Sequence, residues 1–353
     1  MHAILQACST PHGALSAPFA FLCTIPGLSR AAATALAART AADGERILVN
    51  AAKLGAIALL PDDALFPSSL REIPDAPTVL FAKGRLELFK GPAVAIVGSR
   101  DHTPYGAEVC RMIAREAAYA GITVISGMAR GLDAIAHEAA LDAGGTTIGV
   151  LGNGLGVIYP AANRALYERV GKEGLLLSEF PPGERPQAWN FPRRNRLISG
   201  LARVTVVVEA AHGSGALITA NTGLDQGRDI MAVPGPITSE MSVGTNTLIR
   251  DGAEPLLSAA GFLTHYPECM APNPKTRPIS PALKPVVKSA AIPIPPEFAP
   301  IANCLGVEPV HIDAISLVSG IPPGDCLAAL VRLELLGAVE QRPGSMFRLV
   351  LAP

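Results

Sequence analysis

Between residues 91 and 265 the chain alternates short, mostly apolar runs with longer amphipathic stretches, and this alternation narrows the possible folds more than any other feature. The runs are Val94–Val97, Thr123–Ser126, Thr146–Leu151, Leu175–Ser178, Val204–Glu209 and Asp229–Val233. A strand that is apolar throughout, rather than at every second position, has to be covered on both faces. Helices between successive strands then make those strands parallel. The expected fold class is therefore α/β, a Rossmann-like parallel sheet of six strands. Right-handed crossovers bring each loop that follows a strand to one edge of the sheet, where open α/β sheets bind ligands.

That edge is rich in glycine and serine. The loops are Gly98-Ser99-Arg100, Ser126–Gly131 with Gly127 in it, Gly152–Gly156 and Gly213-Ser214-Gly215. A glycine loop opening a helix presents free backbone N–H groups to an anion. A phosphate-lined groove and plain turn chemistry both fit, and the number of such loops favours the groove. A dinucleotide site is disfavoured: Gly152-x-Gly154-x-Gly156 follows the third strand rather than the first and is spaced GxGxG, not GxGxxG. Glu179 and Glu209 end strands at this edge and suit either a hydrolase carboxylate or a bond to loop amides. Asp133 fits a cap or a bond to the glycine loop, and His137 a satisfied, half-buried histidine.

The densest cluster of cations and aromatics is Trp189-Asn190-Phe191-Pro192-Arg193-Arg194-Asn195-Arg196, which holds the single tryptophan of a chain whose net charge is −1. A polyanion site must then be local. Aromatics that stack on bases, beside guanidiniums that grasp phosphates, make a sequence-tolerant site for single-stranded nucleic acid. Leu197, Ile198 and Leu201 have helical spacing, so one face of this segment is core and the arginines can occupy the other. Phe191, Arg194 and Arg196 carry the expectation, with Trp189 assigned to packing.

The 353 residues, 49% hydrophobic, suit two or three domains with sizeable cores. Residues 1–90 are Ala-rich and helical, with Ile25-Pro26-Gly27-Leu28 faintly like a helix-hairpin-helix turn, and end in a loop-like lead-in. The core is 91–265. Residues 266–300 are so proline-rich that they read as a linker, and 301–353 has the helix–helix–hairpin outline of a winged helix. The tail carries three arginines against five acids, so protein contact or regulation fits it at least as well as duplex reading. Six scattered cysteines, without a C-x-x-C pair, give no zinc or disulfide framework. With no basic leader and no unbroken apolar span, a cytoplasmic protein without membrane, metal or cofactor is expected.

Together the motifs resemble the DNA-processing protein A (DprA, or Smf) family. They are Ala95-Ile96-Val97-Gly98-Ser99-Arg100, Ser126-Gly127-x-Ala129-x-Gly131-x-Asp133-x-x-Ala136-His137, Tyr159-Pro160-x-x-Asn163 and Ser178-Glu179-Phe180-Pro181. After these come Phe191-Pro192-x-Arg194-Asn195-Arg196-x-Ile198, Val208-Glu209-Ala210, Ser214-Gly215-Ala216-Leu217, Pro234-Gly235 and Gly244-Thr245-Asn246-x-Leu248-Ile249. Phe66 stands where the family more often has Tyr, Gly156 where it usually has Asp, and the N-terminal helical domain looks short and degenerate.

The resemblance implies a homodimer that binds and protects incoming single-stranded DNA and loads a RecA-type recombinase onto it during natural transformation, without catalysis. It implies DNA contacts from Gly98, Ser99, Arg100, Gly127, Gly131, Phe191, Arg193, Arg194, Asn195, Arg196, Ser214 and Gly215. Dimer or partner contacts would involve Thr245, Asn246, Leu248 and Ile249. The alternative is an enzyme that binds a nucleotide or hydrolyses a nucleoside monophosphate, using Glu209 with Gly213–Ala216.

Overall fold

The computed structural model describes residues 2–270, 295, 298–302, 304–305, 310–342 and 345–349. Two units divide the chain, Met1–Pro274 and Lys275–Pro353. The first opens with helices α1 (His2–Cys8), α2 (Pro11–Ser16), α3 (Phe19–Leu22), α4 (Arg30–Ala37) and α5 (Ala41–Lys53). Thr10 and Ser29 cap α2 and α4 through side-chain oxygens. The buried residues of this region are few, centred on Leu22, Ile25 and Ala33.

The sequence predicts a loop-like lead-in after these helices. Instead β1 (Ile57–Leu59), α6 (Ser68–Arg71) and β2 (Leu80–Gly84) follow, and both strands join the main sheet. The core elements are β3 (Ala93–Val97), α7 (Pro104–Tyr119), β4 (Thr123–Ser126), α8 (Leu132–Asp142), β5 (Thr147–Leu151), α9 (Arg164–Glu173) and β6 (Leu175–Ser178). They continue through α10 (Asn190–Leu201), β7 (Val204–Val207), α11 (Gly215–Asp225), β8 (Asp229–Ala232), α12 (Val243–Arg250) and β9 (Glu254–Pro255). The sheet has nine strands in the order β1-β2-β6-β5-β4-β3-β7-β8-β9. The pairings β1–β2 and β2–β6 are antiparallel and the rest parallel. The six predicted strands are all present within two residues at each end; the three additional ones lie toward the margins.

Both faces of the sheet are dry, which is why the strands read as continuously apolar. Val94, Ile96, Val124, Val204 and Val206 pack with Cys110, Ile113 and Ala117 of α7 and Ala136 and Ala140 of α8. The alternate residues Ala95, Val97, Ile125 and Val207 pack with Leu197 and Ile198 of α10 and Ala216 and Ala220 of α11.

Tyr266, placed by sequence at the start of the linker, is fully buried beside Phe262. Its hydroxyl donates to Ala93 O at 2.7 Å and accepts from Val204 N at 3.3 Å, tying the chain across β3 and β7. Short helix α13 (Pro267–Met270) follows, and residues 271–294 lie outside the described part of the chain. No single helix among the described residues is long and apolar enough to cross a membrane.

The second unit contains α14 (Ala299–Ala302), β10 (Val310–His311), α15 (Ile312–Ser319), α16 (Pro323–Leu335), β11 (Val339–Arg342) and β12 (Met346–Leu349). Its sheet runs β10-β12-β11 over a core that includes Ile301, Ile315, Leu330, Leu333 and Phe347. The helix–helix–hairpin outline is as expected, with β10 added.

Tyr266→Ala is expected to cost about 3–5 kcal/mol of unfolding free energy in urea, from lost packing, and Tyr266→Phe only about 1 kcal/mol, from the lost hydrogen bonds.

Candidate nucleic-acid interface

The winding reverses at β3: β4, β5 and β6 are laid down on one side of it and β7, β8 and β9 on the other. Ligands bind at such a switch point, beyond the C-terminal ends of the strands. A cleft of about 650 Å³ opens there, bordered by Gly98, Ser99 and Arg100 after β3 and by Ser214 and Gly215 after β7. Phe191, Arg194 and Asn195 of α10 also line it.

Each loop is fixed by identifiable contacts. Ser99 N donates to Glu209 O at 2.8 Å, and Asp101 N donates to Ser99 Oγ at 3.1 Å. Glu209 is buried; its carboxylate accepts from Thr103 N at 2.9 Å and Thr103 Oγ1 at 2.5 Å, so it holds the start of α7. Gly131 has φ of +81°, and a Cβ there would sit 2.5 Å from Ser99 O and 2.6 Å from Arg100 O. A side chain at 131 is excluded twice, by backbone conformation and by the touching loop. Asp133 Oδ2 accepts from Gly127 N at 3.1 Å and Ala129 N at 3.4 Å, and Asn163 Nδ2 donates to Met128 O and Ala129 O at 3.1 Å each.

Helix α10 joins these loops. Arg194 Nη1 donates to Gly127 O at 2.6 Å and also to Val150 O, at the end of β5. Asn195 Nδ2 donates to Gly215 O at 3.2 Å. Arg196 bridges Asp75 at 2.8 Å and Glu179 at 2.8 Å. The expectation that Arg194 and Arg196 lie on the face of α10 away from the core is thus corrected: both are buried and engaged with protein partners, although Arg194 borders the cleft. Arg193 and Arg100 are exposed, with Arg193 3.3 Å from Glu179. Trp189 is corrected in the opposite sense, being 70% exposed rather than packed.

Burial lifts the Asp133 carboxyl above its usual range, while the Arg194 charge and the loop amides oppose that shift. Burial, reinforced by the same guanidinium, holds His137 down to about 3. His137 is fully buried rather than half-buried, with Nδ1 2.6 Å from Thr147 Oγ1 and Nε2 without a partner.

The glycines after β5 serve packing. A Cβ on Gly152 would come within 2.5 Å of the Phe191 ring, and one on Gly154 would collide with the Pro181–Glu184 backbone. The residues assigned to dimer or partner contacts are largely internal. Thr245 and Leu248 are buried, Asn246 bonds both Gly235 N (3.2 Å) and Gly235 O (3.0 Å), and Ile249 is partly buried against the core. Reasoning from sequence did not single out Tyr159, which borders the cleft with its ring centroid 5.4 Å from that of Phe191. The motif Tyr159-Pro160-x-x-Asn163 was its only signal.

The family model of DNA recombination-mediator protein A matches residues 58–267, which include every loop described above. The chain belongs to that family. The model of the DprA winged helix domain matches residues 285–345. The chain is 37% identical over 315 residues to Protein Smf of Synechocystis, covering 82% of this chain and 79% of that protein. Among solved structures, DNA processing protein A from Streptococcus pneumoniae superposes with a TM-score of 0.65 at 35% identity, covering 74% of this chain and 91% of that one. DNA processing protein A from Helicobacter pylori, solved for its single-stranded DNA binding mode, gives 0.55 at 30% identity over 60% and 95% of the two chains. In this member of the recombination-mediator protein A family, the matched core is the α/β unit that carries the cleft.

Two outcomes follow from the buried charges. Arg194→Ala leaves the buried Gly127 and Val150 carbonyls without their donor and removes the nearby charge that opposes the burial of Asp133, so a loss of about 3–5 kcal/mol of stability is expected in denaturant titrations. Below the ordinary histidine pKa of 6.5 the unfolded chain takes up a proton at position 137 that the native state does not. Stability therefore falls on acidification, by roughly 2 kcal/mol at pH 5 from this group alone. His137→Gln is expected to flatten that part of the stability–pH profile.

Proposed function

We propose that this chain binds single-stranded DNA in the cleft at the switch point, without chemical turnover, and hands the strand to a RecA-type recombinase. The observation that carries the reading is the cleft itself. Gly/Ser loops, the starts of α8 and α11, an exposed guanidinium at Arg100 and aromatic rings all meet in one open groove. Helix N-termini and glycine-loop amides attract phosphates, and the rings suit bases of any sequence. The Helicobacter pylori relative, described by its single-stranded DNA binding mode, supports the same assignment. Both carboxylate oxygens of Glu209 are engaged by Thr103, which argues against the nucleotide-hydrolysing alternative.

On this reading Gly98, Ser99, Arg100, Gly131, Ser214 and Gly215 offer amides, a hydroxyl or charge to the backbone of the strand, and Gly127, whose amide is held by Asp133, lets the adjoining loop approach it. Arg193 and Arg100 are the accessible cations, while Arg194, Asn195 and Arg196 shape the groove from within. The protein would act in the cytoplasm on DNA entering during natural transformation, protecting it until the recombinase assembles. It would do so as a homodimer, with the region of Thr245–Ile249 close to the partner surface.

Trp189 caps the start of α10 two residues from Phe191, so it reports on strand entry. Oligo-dT is expected to quench its fluorescence at low salt, with recovery as salt is added, since each phosphate contact to a single strand contributes about −0.7 to the slope of log K against log salt. Quenching by AMP with no response to oligo-dT would overturn the reading in favour of a nucleotide enzyme.

A further inference from the structure

We infer that Tyr159 forms a nucleobase subsite of its own, with Phe191 as the backing of the Tyr159 ring rather than the face on which the base lies. The inference rests on the single-stranded DNA reading above and deepens it.

The Phe191 ring is already flanked. One side lies against Gly152, where even a single added carbon would come within 2.5 Å of Cδ1 and 2.8 Å of Cε1. Next to it is Tyr159, its centroid 5.4 Å away and its plane tilted by 40°. Inserting a base between two rings takes two contacts of about 3.5 Å, so roughly 7 Å of separation. The Tyr159–Phe191 gap is too narrow and the rings are not parallel, so no base enters between them without the pair opening.

Tyr159 is the better exposed member, at 45%, whereas Phe191 is partly buried. It borders both the main cleft and a smaller adjoining pocket of about 80 Å³. Arg100 borders both of these spaces too, and Arg130, whose side chain is 61% exposed, borders the smaller one. A base resting on the outer face of Tyr159 thus has the Arg100 guanidinium on hand for a flanking phosphate, with Arg130, ion-paired to Asp101 at 2.9 Å, beside it. The tyrosine is also well anchored. Asn163, four residues on, donates to the Met128 and Ala129 carbonyls, which fastens this turn to the glycine loop that Asp133 holds. A preorganised ring loses little freedom when a base stacks on it.

The test measures binding of the full chain to a fluorescent oligo-dT and to an abasic strand of the same length, which keeps the phosphates and removes the bases. Tyr159→Ala is expected to weaken oligo-dT binding about 5- to 150-fold, the range for loss of one base-stacking aromatic. Tyr159→Phe is expected to stay within about threefold of the native protein, and Tyr159→Leu, which keeps apolar volume, to fall with the alanine variant. On the abasic strand all four proteins are expected to bind alike. Retained oligo-dT affinity in Tyr159→Ala and Tyr159→Leu would overturn the subsite while leaving the DNA reading intact. Equal losses on both strands would also overturn it, by making Tyr159 a structural or backbone-contacting residue. If the native protein binds neither strand in a salt-reversible way, the single-stranded DNA reading itself fails.

Discussion

The buried guanidinium of Arg194 is the constraint on which the rest of the cleft depends. It lies within electrostatic reach of the Asp133 carboxyl, donates to the carbonyls of Gly127 and Val150, and starts from a helix whose next residue holds Gly215. Loops that are far apart in sequence are thereby fixed against one another at a single point. A buried guanidinium is a poor source of net stability, because desolvation offsets most of what its partners return. Its value here is geometric. A glycine loop without a side-chain framework would sample many conformations, and a groove made of backbone amides has to be rigid to be selective for anything.

The same arrangement sets the electrostatic character of the site. Arg196 is taken up by Asp75 and Glu179, and Arg193 leans toward Glu179. Arg130 is paired with Asp101 at 2.9 Å. The cleft is therefore not a continuous basic trough. An anion entering this cleft meets a few accessible cations, helix termini and aromatic rings rather than a basic wall. In a chain of net charge −1, long-range steering is weak and contact chemistry carries more of the discrimination.

Much of the fold was legible because buried parallel strands have an unambiguous signature: Val94–Val97 or Leu175–Ser178 cannot be surface segments of a stable protein. Ile57–Leu59 and Glu254–Pro255 were not legible, since two or three residues carry no period, and their pairing is decided by the sheet they join. The site was half legible. Loop glycines announce a close approach, and Gly131 meets the Ser99–Arg100 backbone as such a residue should. The state of the arginines was hidden because a helical wheel shows which face of α10 is apolar but not whether the opposite face is also covered. That cover comes from Asp75, 121 residues away from Arg196 in sequence. For Trp189 the error ran the other way, because tryptophan is usually buried on average, yet here it sits outside the first turn of α10 with no core to enter.

The marginal strands have a consequence for the behaviour of the protein in a crowd. β1 is three residues long and β9 two, so the sheet ends on both sides in stubs rather than in open ladders of unpaired amides. A long bare margin would invite a neighbouring chain to add a strand and begin a ribbon of sheets. By tapering at its margins, the nine-stranded sheet offers a neighbouring chain little edge on which to add a strand.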